Sequence, residues 1–464
     1  MEETLLSIAC SWRITDSPQN SLDDLLGWIK ERNEAVAVEI HKTPFPEQGG
    51  FWFYDKEEGA IRNQNRSFFR ITGYQQRQAG DLVFSQPIIL QEEIGYLGIL
   101  CKEIGGVTHF LMQAKIEPGN VNQIQISPTI QATKSNFTRR HGGTAPPYLE
   151  YFLNAGRYEI VVDQIQSEQS SRFYKKRNRN IILRVEEEIP VLPSHRWMTL
   201  GQIKRLMRID NLVNMDTRTV LSCIPYAALN LSTRRLFALA DGFRDKPLFR
   251  SLFIGGAENP LPEVYQFINN WKMFSDTERR LVPLHALEDW EMRDGEFVCK
   301  RPYPFKVIFC DIAIEGREVK RWTQPLFEAN GIAAFGLLCC EQDGVLKFLV
   351  KAMPEAGCFD GVELGPTVQR EASAPSQEGN AVEQLFADRL ARKQGVLFDH
   401  LLSEEGGRFY HEQNRNVILK VNADELPELP EGYFLLDYRT LNELVQINNV
   451  LNIQLRNLLS LLEA

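Results

Sequence analysis

An internal duplication is the feature that most constrains how this chain folds. Displacing the sequence by about 238 positions aligns its halves, with the matched pairs Gly98/Gly336, Gly106/Gly344, Phe110/Phe348, Gly119/Gly357, Pro128/Pro366 and Gln131/Gln369. Each copy spans about 200 residues, which suits one domain with its own core. A solenoid would need more and shorter units. We therefore predict an N-terminal repeat over 1–222, a helical connector over 223–258 and a C-terminal repeat over 259–464.

Composition narrows the class of protein. The 464 residues are 43% hydrophobic and 24% charged, as in an ordinary globular protein. The sequence lacks a signal peptide and any long apolar run, so we expect a cytoplasmic protein that does not enter a membrane. The net charge of −9 argues against a nucleic-acid partner. Eight cysteines without CxxC spacing predict neither a disulfide framework nor a structural zinc, and we expect no metal site.

Local patterns predict the same order of elements in both copies. Helices are expected at 22–31 and 261–271, and a helix from Pro147 to Ala155 in the first copy. Glycine turns at Gly105-Gly106 and Gly344 predict β-hairpins. A strand is expected through 172–185, followed by a closing helix. That helix has capping-box spacing at Thr199/Gln202 in one copy and Thr440/Glu443 in the other. The predicted class is α/β (α+β) with antiparallel-rich mixed sheets.

Two polar patterns recur in both copies. Along an extended strand, Arg172, Tyr174, Asn178 and Asn180 would share one face, as would Arg408, Tyr410, Asn414 and Asn416. On the closing helix a polar stripe is repeated, with members Asn211, Asn214 and Arg218 in one copy and Asn449, Asn452 and Arg456 in the other. These residues form either a solvated face, a hydrogen-bond network that joins strand to helix, or a pocket wall suited to sugar or base edges.

The copies differ most in one loop. The first carries QATKSNFTRRHGGTAPPYLEYF at 131–152, with the basic residues Lys134, Arg139, Arg140 and His141 beside Gly142 and Gly143. The second has QREASAPSQEGNAVEQLF at 369–386, where Arg370 is the single basic residue. Cations, free backbone N–H groups and a following helix suit a diphosphate. A solvated surface loop is the alternative.

The stretch SPTIQATKSNFTRRHGG…PYLEYF, with RFY downstream and EEGGRFYHEQNRN in the second copy, resembles the NDP-hexose 2,3-dehydratases of deoxysugar biosynthesis. The resemblance covers nearly the whole chain, including the duplication. It implies a Nudix-like domain in each half and a homodimer. It also implies a nucleotide-linked 4-keto-6-deoxyhexose as substrate, such as dTDP-4-keto-6-deoxyglucose, and a reaction without any cofactor. In agreement, the sequence contains neither GxGxxG in a strand–turn–helix unit nor GxxxxGK[ST].

The implied reaction assigns roles to residues of the first copy, which we predict to be the active half. A 4-ketone acidifies the C3–H bond, so a general base removes that proton and a general acid protonates the departing C2 hydroxyl. The acid and base candidates are His141, Tyr148, Tyr151 and Glu117, with Glu150 nearby. Tyr148 and Tyr151 lie on one helix face, which either packs in the core or points a phenol into the pocket. The diphosphate candidates are Lys134, Arg139, Arg140 and Gly142. Sugar or base contacts are expected from Gln131, Asn136, Thr138, Arg172, Tyr174 and Asn178.

Two other functions compete with dehydration. A Nudix hydrolase would need a Mg²⁺ cage on a helix of the Gly-x5-Glu-x7-Arg-Glu-x2-Glu-Glu type, and the sequence contains none. A non-catalytic nucleotide-sugar-binding protein would need only the polar stripes. The basic loop occurs in one copy, which favours a specialised active half.

Overall fold

The computed structural model describes residues 1–46, 50–133, 145–315, 320–372 and 379–463. The predicted loop residues 134–144 lie outside these ranges. The helices are α1 (Glu2–Ser11), α2 (Leu22–Glu34), α3 (Leu149–Leu153), α4 (Leu200–Leu206), α5 (Met215–Ser222), α6 (Thr233–Ala240), α7 (Lys246–Phe253), α8 (Leu261–Phe274), α9 (Ala381–Ala391), α10 (Tyr438–Val445) and α11 (Ile453–Ser460). Within the described ranges, no helix has the length and apolar character needed to cross a membrane.

The strands of the first half, with β13 at the start of the second, are β1 (Val38–Lys42), β2 (Trp52–Asp55), β3 (Ala60–Asn63), β4 (Arg70–Gln78), β5 (Asp81–Leu90), β6 (Gly95–Ile104), β7 (Val107–Ile116), β8 (Ile124–Ser127), β9 (Ile130–Ala132), β10 (Glu159–Ser167), β11 (Arg177–Arg184), β12 (His195–Thr199) and β13 (Thr277–Val282). The remaining strands are β14 (Trp290–Arg293), β15 (Glu296–Cys299), β16 (Phe305–Ile314), β17 (Arg321–Ala329), β18 (Ala334–Gln342), β19 (Val345–Met353), β20 (Glu363–Pro366), β21 (Val368–Arg370), β22 (Val396–Ser403), β23 (Phe409–Tyr410), β24 (Gln413–Val421) and β25 (Tyr433–Asp437).

Each half builds one large sheet and one small sheet. The large sheet of the first half has the order β10-β11-β6-β7-β12, with β9 on β6 and β8 on β7. Its counterpart has the order β22-β24-β18-β19, with β20 and β25 on β19 and β21 on β18. In each large sheet one pair is parallel, β11 with β6 and β24 with β18. The fold is therefore a duplicated α/β architecture with mixed sheets.

The two halves exchange a strand between their small sheets. Strand β1, which follows α2, leaves its own half and pairs antiparallel with β16 of the other, with Val38 opposite Ile314. Strand β13, which follows α8, makes the reciprocal pairing with β4, with Thr277 opposite Gln78. The hydrogen bonds of each small sheet thus depend on both halves of the chain.

An aromatic core lies between the two small sheets. It contains side chains from both, including Phe173 and Phe409, whose ring centroids are 5.9 Å apart. Full burial of one such side chain stabilises a fold by about 1.5–3 kcal/mol. A second core runs continuously through both halves and includes α5 and α11, which pack against each other. These two cores are therefore shared by the halves, and each half also has a smaller hydrophobic cluster of its own.

Most of the short-range predictions are confirmed. Helices α2 and α8 occupy the predicted opening positions, and the hairpins β6–β7 and β18–β19 turn at Gly105-Gly106 and Gly344. The connector contains α6 and α7, as its apolar periodicity predicted. The capping box at Thr199 is present, with Gln202 at its third helical position.

Three local predictions are wrong. The capping box at Thr440 is absent because Asp437 caps α10 three residues earlier and accepts from the Thr440 N–H group. The strand predicted from 172 begins only at Arg177, since residues 172–175 turn and Lys175 has a φ of 54°. The closing helix is divided into α4 and α5 in the first half. Asn211, with a φ of 59°, lies between them, and Asn214 caps α5.

The polar stripe forms a hydrogen-bond network between the halves. The Arg218 guanidinium donates to the Ser403 carbonyl at 2.6 Å, and the Arg456 guanidinium donates to the Ser167 carbonyl at 2.5 Å. The Asn211 side chain donates to Gln413 at 2.9 Å. Of the three predicted alternatives, these side chains form the hydrogen-bond network that joins strand to helix. The helix and the strands that it joins belong to different halves. Removing a partner from such a buried network leaves unsatisfied groups and is costly.

Glu363 extends this network and should make stability depend on pH. The Ser167 hydroxyl donates to its carboxyl at 2.8 Å. Burial raises the pKa of Glu363 to about 8, against the opposing effect of Arg456. Because the folded-state pKa is raised, the contribution to stability is present below about pH 4.5 and is lost as pH rises to about 8.

The free energy of unfolding of the native protein should fall between pH 5 and pH 8. In the Glu363→Gln protein we expect this fall to be smaller by at least about 1 kcal/mol. Urea titrations at the two pH values measure this difference. Equal losses in both proteins would contradict the assignment.

Candidate active site

A cluster of polar side chains surrounds Glu117 at the end of β7, and we call it cluster 1. The Gln131 amide donates to the Glu117 carboxylate at 3.0 Å, and the Lys115 ammonium lies 3.3 Å from the same oxygen. The Asn214 amide donates to the Gln131 side-chain oxygen at 3.2 Å and to the Ser127 hydroxyl at 2.9 Å. Gln131 is thus held at both ends, which fixes the amide that faces Glu117.

A loop from the second half closes over cluster 1. We call residues 404–412 and their counterparts 168–176 the crossing loops. The Gly119 N–H group donates to the Gly406 carbonyl at 2.7 Å, and the His411 N–H group donates to the Gly119 carbonyl at 2.8 Å. A Cβ atom at Gly119 would lie 1.5 Å from the Phe409 carbonyl oxygen. The two backbones approach so closely that only glycine fits at this position.

The crossing loop brings Glu405 and Arg408 to cluster 1. The Arg408 guanidinium donates to the Gln91 side chain at 3.0 Å and lies over the rings of Phe68 and Phe69, at 4.2 and 4.4 Å. The Glu405 carboxylate is 3.9 Å from the Arg408 guanidinium. These contacts combine a cation–π arrangement with a buried charge pair, and they hold the loop rigidly.

A matching arrangement, cluster 2, surrounds Glu355 in the second half. Its carboxylate accepts from Gln369 at 2.8 Å and from Asn452 at 3.3 Å. The first crossing loop covers this cluster, and its Arg172 forms an ion pair with Glu371 at 2.8 Å. Arg172 therefore lies at cluster 2, which corrects its predicted grouping with the other side chains of the first half.

The two clusters carry different ionisable groups. Lys115, Asp216 and Glu405 of cluster 1 correspond in sequence to Met353, Gln454 and Gln169 of cluster 2. Burial raises the pKa of Asp216 well above its usual range, and the negative charges of Glu168 and Glu405 add to this effect. Cluster 1 therefore has three ionisable groups whose counterparts in cluster 2 do not ionise.

In cluster 2 the central carboxyl is also buried. Burial raises the pKa of Glu355 to about 7, although hydrogen bonds from Gln369 and Asn452 oppose the shift. Amides take the places of Glu405 and Asp216 there, a thioether takes the place of Lys115, and Glu371 takes the place of Thr133. Cluster 2 thus repeats the central carboxyl and amides of cluster 1 with different ionisable groups around them.

The structure separates two of the predicted acid and base candidates from cluster 1. The Tyr148 hydroxyl donates to the Pro190 carbonyl at 2.9 Å and accepts from the Leu192 N–H group at 3.1 Å. Tyr148 and Tyr151 pack with α3 on the face of the large sheet that Ile130 and Ala132 of β9 also face. Gln131 points to the opposite face because side chains alternate along a strand. Of the two alternatives for Tyr148 and Tyr151, the structure shows packing in the core.

The other predicted residues are distributed as follows. The Asn178 amide donates to the Glu168 carboxyl at 2.6 Å, in the crossing loop of the first half. The Tyr174 ring lies 6.2 Å from that of Tyr74. The basic-loop residues lie outside the described ranges, namely Lys134, Asn136, Thr138, Arg139, Arg140, His141 and Gly142.

The sequence did not predict that four further residues belong to one cluster, namely Lys115, Asp216, Glu405 and Arg408. A signal for three of them was present, because each differs in charge from its counterpart in the other copy. Comparing the copies position by position throughout the chain, beyond the basic loop, would have found them.

A duplicated fold in which buried carboxylates, an ammonium group and amides meet at the junction of the halves is suited to proton-transfer chemistry on a polar substrate. The sequence profile of NDP-hexose 2,3-dehydratases matches residues 22–224 and again residues 261–462, and the chain belongs to this family. The family consists of sugar-nucleotide lyases, and both halves of the chain carry its pattern.

Three relatives carry the name dTDP-4-dehydro-6-deoxy-alpha-D-glucopyranose 2,3-dehydratase. The protein of Saccharopolyspora spinosa is 40% identical over 94% of this chain and 90% of its own length. That of Streptomyces violaceoruber is 38% identical over 93% of this chain and 95% of its own, and that of Amycolatopsis orientalis is 34% identical over 98% and 93%. The similarity therefore extends across both halves and the connector.

Proposed function

We propose that this protein catalyses the 2,3-dehydration of a nucleotide-linked 4-keto-6-deoxyhexose, with dTDP-4-keto-6-deoxyglucose as the substrate. The observation that carries the proposal is the match to three relatives of this name over at least 93% of the chain. Cluster 1 supports it, since the reaction needs a base, an acid and donors to a ketone oxygen within one site.

The reaction balances without any redox partner. A base removes the C3 proton, and the electron pair forms an enolate with the 4-ketone. The enolate then expels the C2 hydroxyl, which takes a proton and leaves as water. The remaining 2,3-enol tautomerises to a 3,4-diketo-2,6-dideoxy sugar by moving its hydroxyl proton to C2. Donors that stabilise the enolate act where charge develops, which is where electrostatic stabilisation is most effective.

Among the predicted acid and base candidates, Glu117 is the described residue that lies in cluster 1. Lys115 and Gln131 both contact its carboxylate and hold it in place. We therefore assign proton removal from C3 to Glu117.

The diphosphate belongs to the basic loop in this proposal. That loop follows β9 directly, and β9 carries Gln131, so chain continuity begins the loop beside cluster 1. Lys134, Arg139, Arg140 and Gly142 would bind the phosphates, with His141 close to them. Asn136 and Thr138 would contact sugar or base.

The activity is tested with purified protein, dTDP-4-keto-6-deoxyglucose and mass spectrometry, without added metal or NAD(P)H. Loss of one water supports dehydration. Release of dTMP would indicate a Nudix-type hydrolase, and binding without conversion would indicate a non-catalytic nucleotide-sugar-binding protein. dTDP-glucose is the matched control substrate, because it lacks the 4-ketone that acidifies C3 and should remain unchanged.

Replacing Arg139 or Arg140 by Ala should weaken dTDP binding by about 1.5–3 kcal/mol, the loss expected for one charge-assisted hydrogen bond. Arg370→Ala is the matched control, because Arg370 is the basic residue at the corresponding place of the second copy and its side chain is 50% exposed. Calorimetry measures the three affinities. Unchanged binding in both loop variants would assign the loop to the solvated surface.

The resemblance also suggests a Nudix-like topology in each half, a cytoplasmic location and a homodimer. A surface that supports dimerisation is the start of β5, where Leu82, Val83 and Phe84 are 44%, 52% and 37% exposed. Exposed apolar side chains on a strand edge favour pairing with another chain. Sedimentation of the native protein and of Val83→Lys tests the dimer, which should dissociate in the variant.

A further inference from the structure

The crossing loop of the second half brings a carboxyl group to cluster 1 that has no counterpart in cluster 2. The loop reads EEGGRFY at 404–410, whereas its counterpart at 168–174 reads EQSSRFY. Glu405 thus takes the place of Gln169, and two glycines take the place of two serines. All of these changes face the site that the other half builds.

The two glycines let both carboxylates pack against the backbone of the crossing loop. A Cβ atom at Gly407 would lie 2.6 Å from the Glu405 Oε1 atom and 3.5 Å from the Glu117 Oε1 atom. A Cβ atom at Gly406 would lie 2.2 Å from the Asn120 Oδ1 atom and 2.9 Å from the Glu117 Cβ atom. The carboxyl groups of Glu117 and Glu405 therefore lie close to each other, beside Gly407.

The two carboxyl groups have different surroundings. The Glu117 carboxylate is contacted by the Lys115 ammonium group and the Gln131 amide. Burial raises the pKa of Glu405; Arg408 opposes this shift, and the negative charge of Glu117 adds to it. The Glu405 side chain is 17% exposed. Two neighbouring carboxyl groups in different environments can act as a base and an acid in one reaction.

We propose that Glu405, carried by the second half, is the general acid that protonates the departing C2 hydroxyl in cluster 1, across the site from Glu117. The inference rests on the proposed function. Glu117 takes the C3 proton, the C2–O bond breaks, and Glu405 gives its proton to the oxygen, which leaves as water. The two carboxyl groups return to their starting states by exchanging one proton with solvent or with each other, so the balance is the loss of one water.

The test compares Glu405→Gln with Gln169→Met, the matched change in the other crossing loop. Glu405→Gln should lower kcat by at least about 10²-fold, the size of a general-acid contribution, with dTDP affinity unchanged. In D₂O the recovered substrate of this variant should gain deuterium at C3, because Glu117 still removes the proton while elimination is blocked. Gln169→Met should keep near-native turnover.

A pH profile and a second variant separate this role from a structural one. Native kcat should fall as pH rises through the pKa of the acid, and Glu405→Gln should lose that alkaline limb. Glu405→Asp, which keeps the carboxyl group, should recover part of the activity. If Glu405→Gln does not bind dTDP, the test depends on Glu405→Asp. A Glu405→Asp protein that binds dTDP but is inactive would overturn the inference.

Four results would count against the inference. Near-native turnover of Glu405→Gln, or loss of C3 exchange in that variant, would overturn the acid role while native dehydration stands. An equal loss in Gln169→Met would move catalysis to cluster 2. A native protein that leaves dTDP-4-keto-6-deoxyglucose unchanged would instead overturn the proposed function, and the inference with it.

Discussion

Replacing Glu117 by Gln is expected to lower kcat for dTDP-4-keto-6-deoxyglucose by at least about 10²-fold and to abolish deuterium exchange at C3. The amide keeps the shape of the side chain and its contact with Gln131, but it cannot accept the proton. Affinity for dTDP should be unchanged because Glu117 is not among the residues proposed to bind the nucleotide. Single-turnover kinetics and mass spectrometry of recovered substrate in D₂O measure both effects.

Glu355→Gln is the matched control for this prediction. Glu355 occupies the same position in cluster 2 and accepts from Gln369 just as Glu117 accepts from Gln131. We expect turnover within about twofold of the native value. A large loss in Glu355→Gln together with a normal Glu117→Gln protein would place the chemistry in the second half.

Gly119→Ala should destabilise the fold by about 3 kcal/mol or more, the upper end of overpacking effects. The added Cβ atom would lie 1.5 Å from the backbone oxygen of Phe409, and a backbone inside a buried aromatic core cannot move aside. Gly357→Ala should behave in the same way, with its Cβ atom 1.7 Å from the Phe173 oxygen. Urea unfolding of the purified variants measures the loss.

Gly27→Ala is the control for these two substitutions. Gly27 lies within α2, and an added Cβ atom would have no neighbour within 4 Å. Alanine in a helix interior is favoured over glycine by roughly 0.5–1 kcal/mol, so this variant should be slightly more stable than the native protein. If the Gly119→Ala and Gly357→Ala proteins were as stable as the native protein, the close approach of the two halves would be wrong.

Features set by neighbouring residues could be predicted from the sequence. The hairpin at Gly105-Gly106 depends on two residues with positive φ, which glycine supplies. The opening helices depend on apolar periodicity that a short window contains. The duplication itself was readable because equivalent residues keep their spacing over the whole chain.

The exchange of β1 and β13 could not be predicted, because a strand of five or six residues carries no signal for which sheet it joins. The failure at 172–175 has a related cause. Alternation predicted a strand through Arg172, but backbone contact with Gly357 of the other half turns the chain there, and Lys175 donates to the Gly357 carbonyl at 2.8 Å. Contacts between distant segments overrode the local pattern.

Only part of the candidate site could be predicted, again because contacts between distant segments form the rest. Glu117 and Gln131 belong to one sheet of one half, and both were predicted from the sequence of that half. Glu405 lies 288 positions after Glu117 in the sequence, and only the crossing loop brings it near. Tyr148 and Tyr151 were predicted as acid and base candidates because they lie near the basic loop in the sequence. In the structure they pack on the other face of the sheet.

The reciprocal crossing of strands and loops also bears on how such a protein can change after gene duplication. A second copy is usually free to decay once the first performs the reaction. Here the second copy supplies the strand that completes the small sheet of the first, the loop that closes over Glu117, and half of the shared interior. Its own pocket differs in charged groups, as Met353, Gln169 and Gln454 illustrate, but the first half still depends on its backbone. The chain can therefore specialise one half but cannot shorten to it.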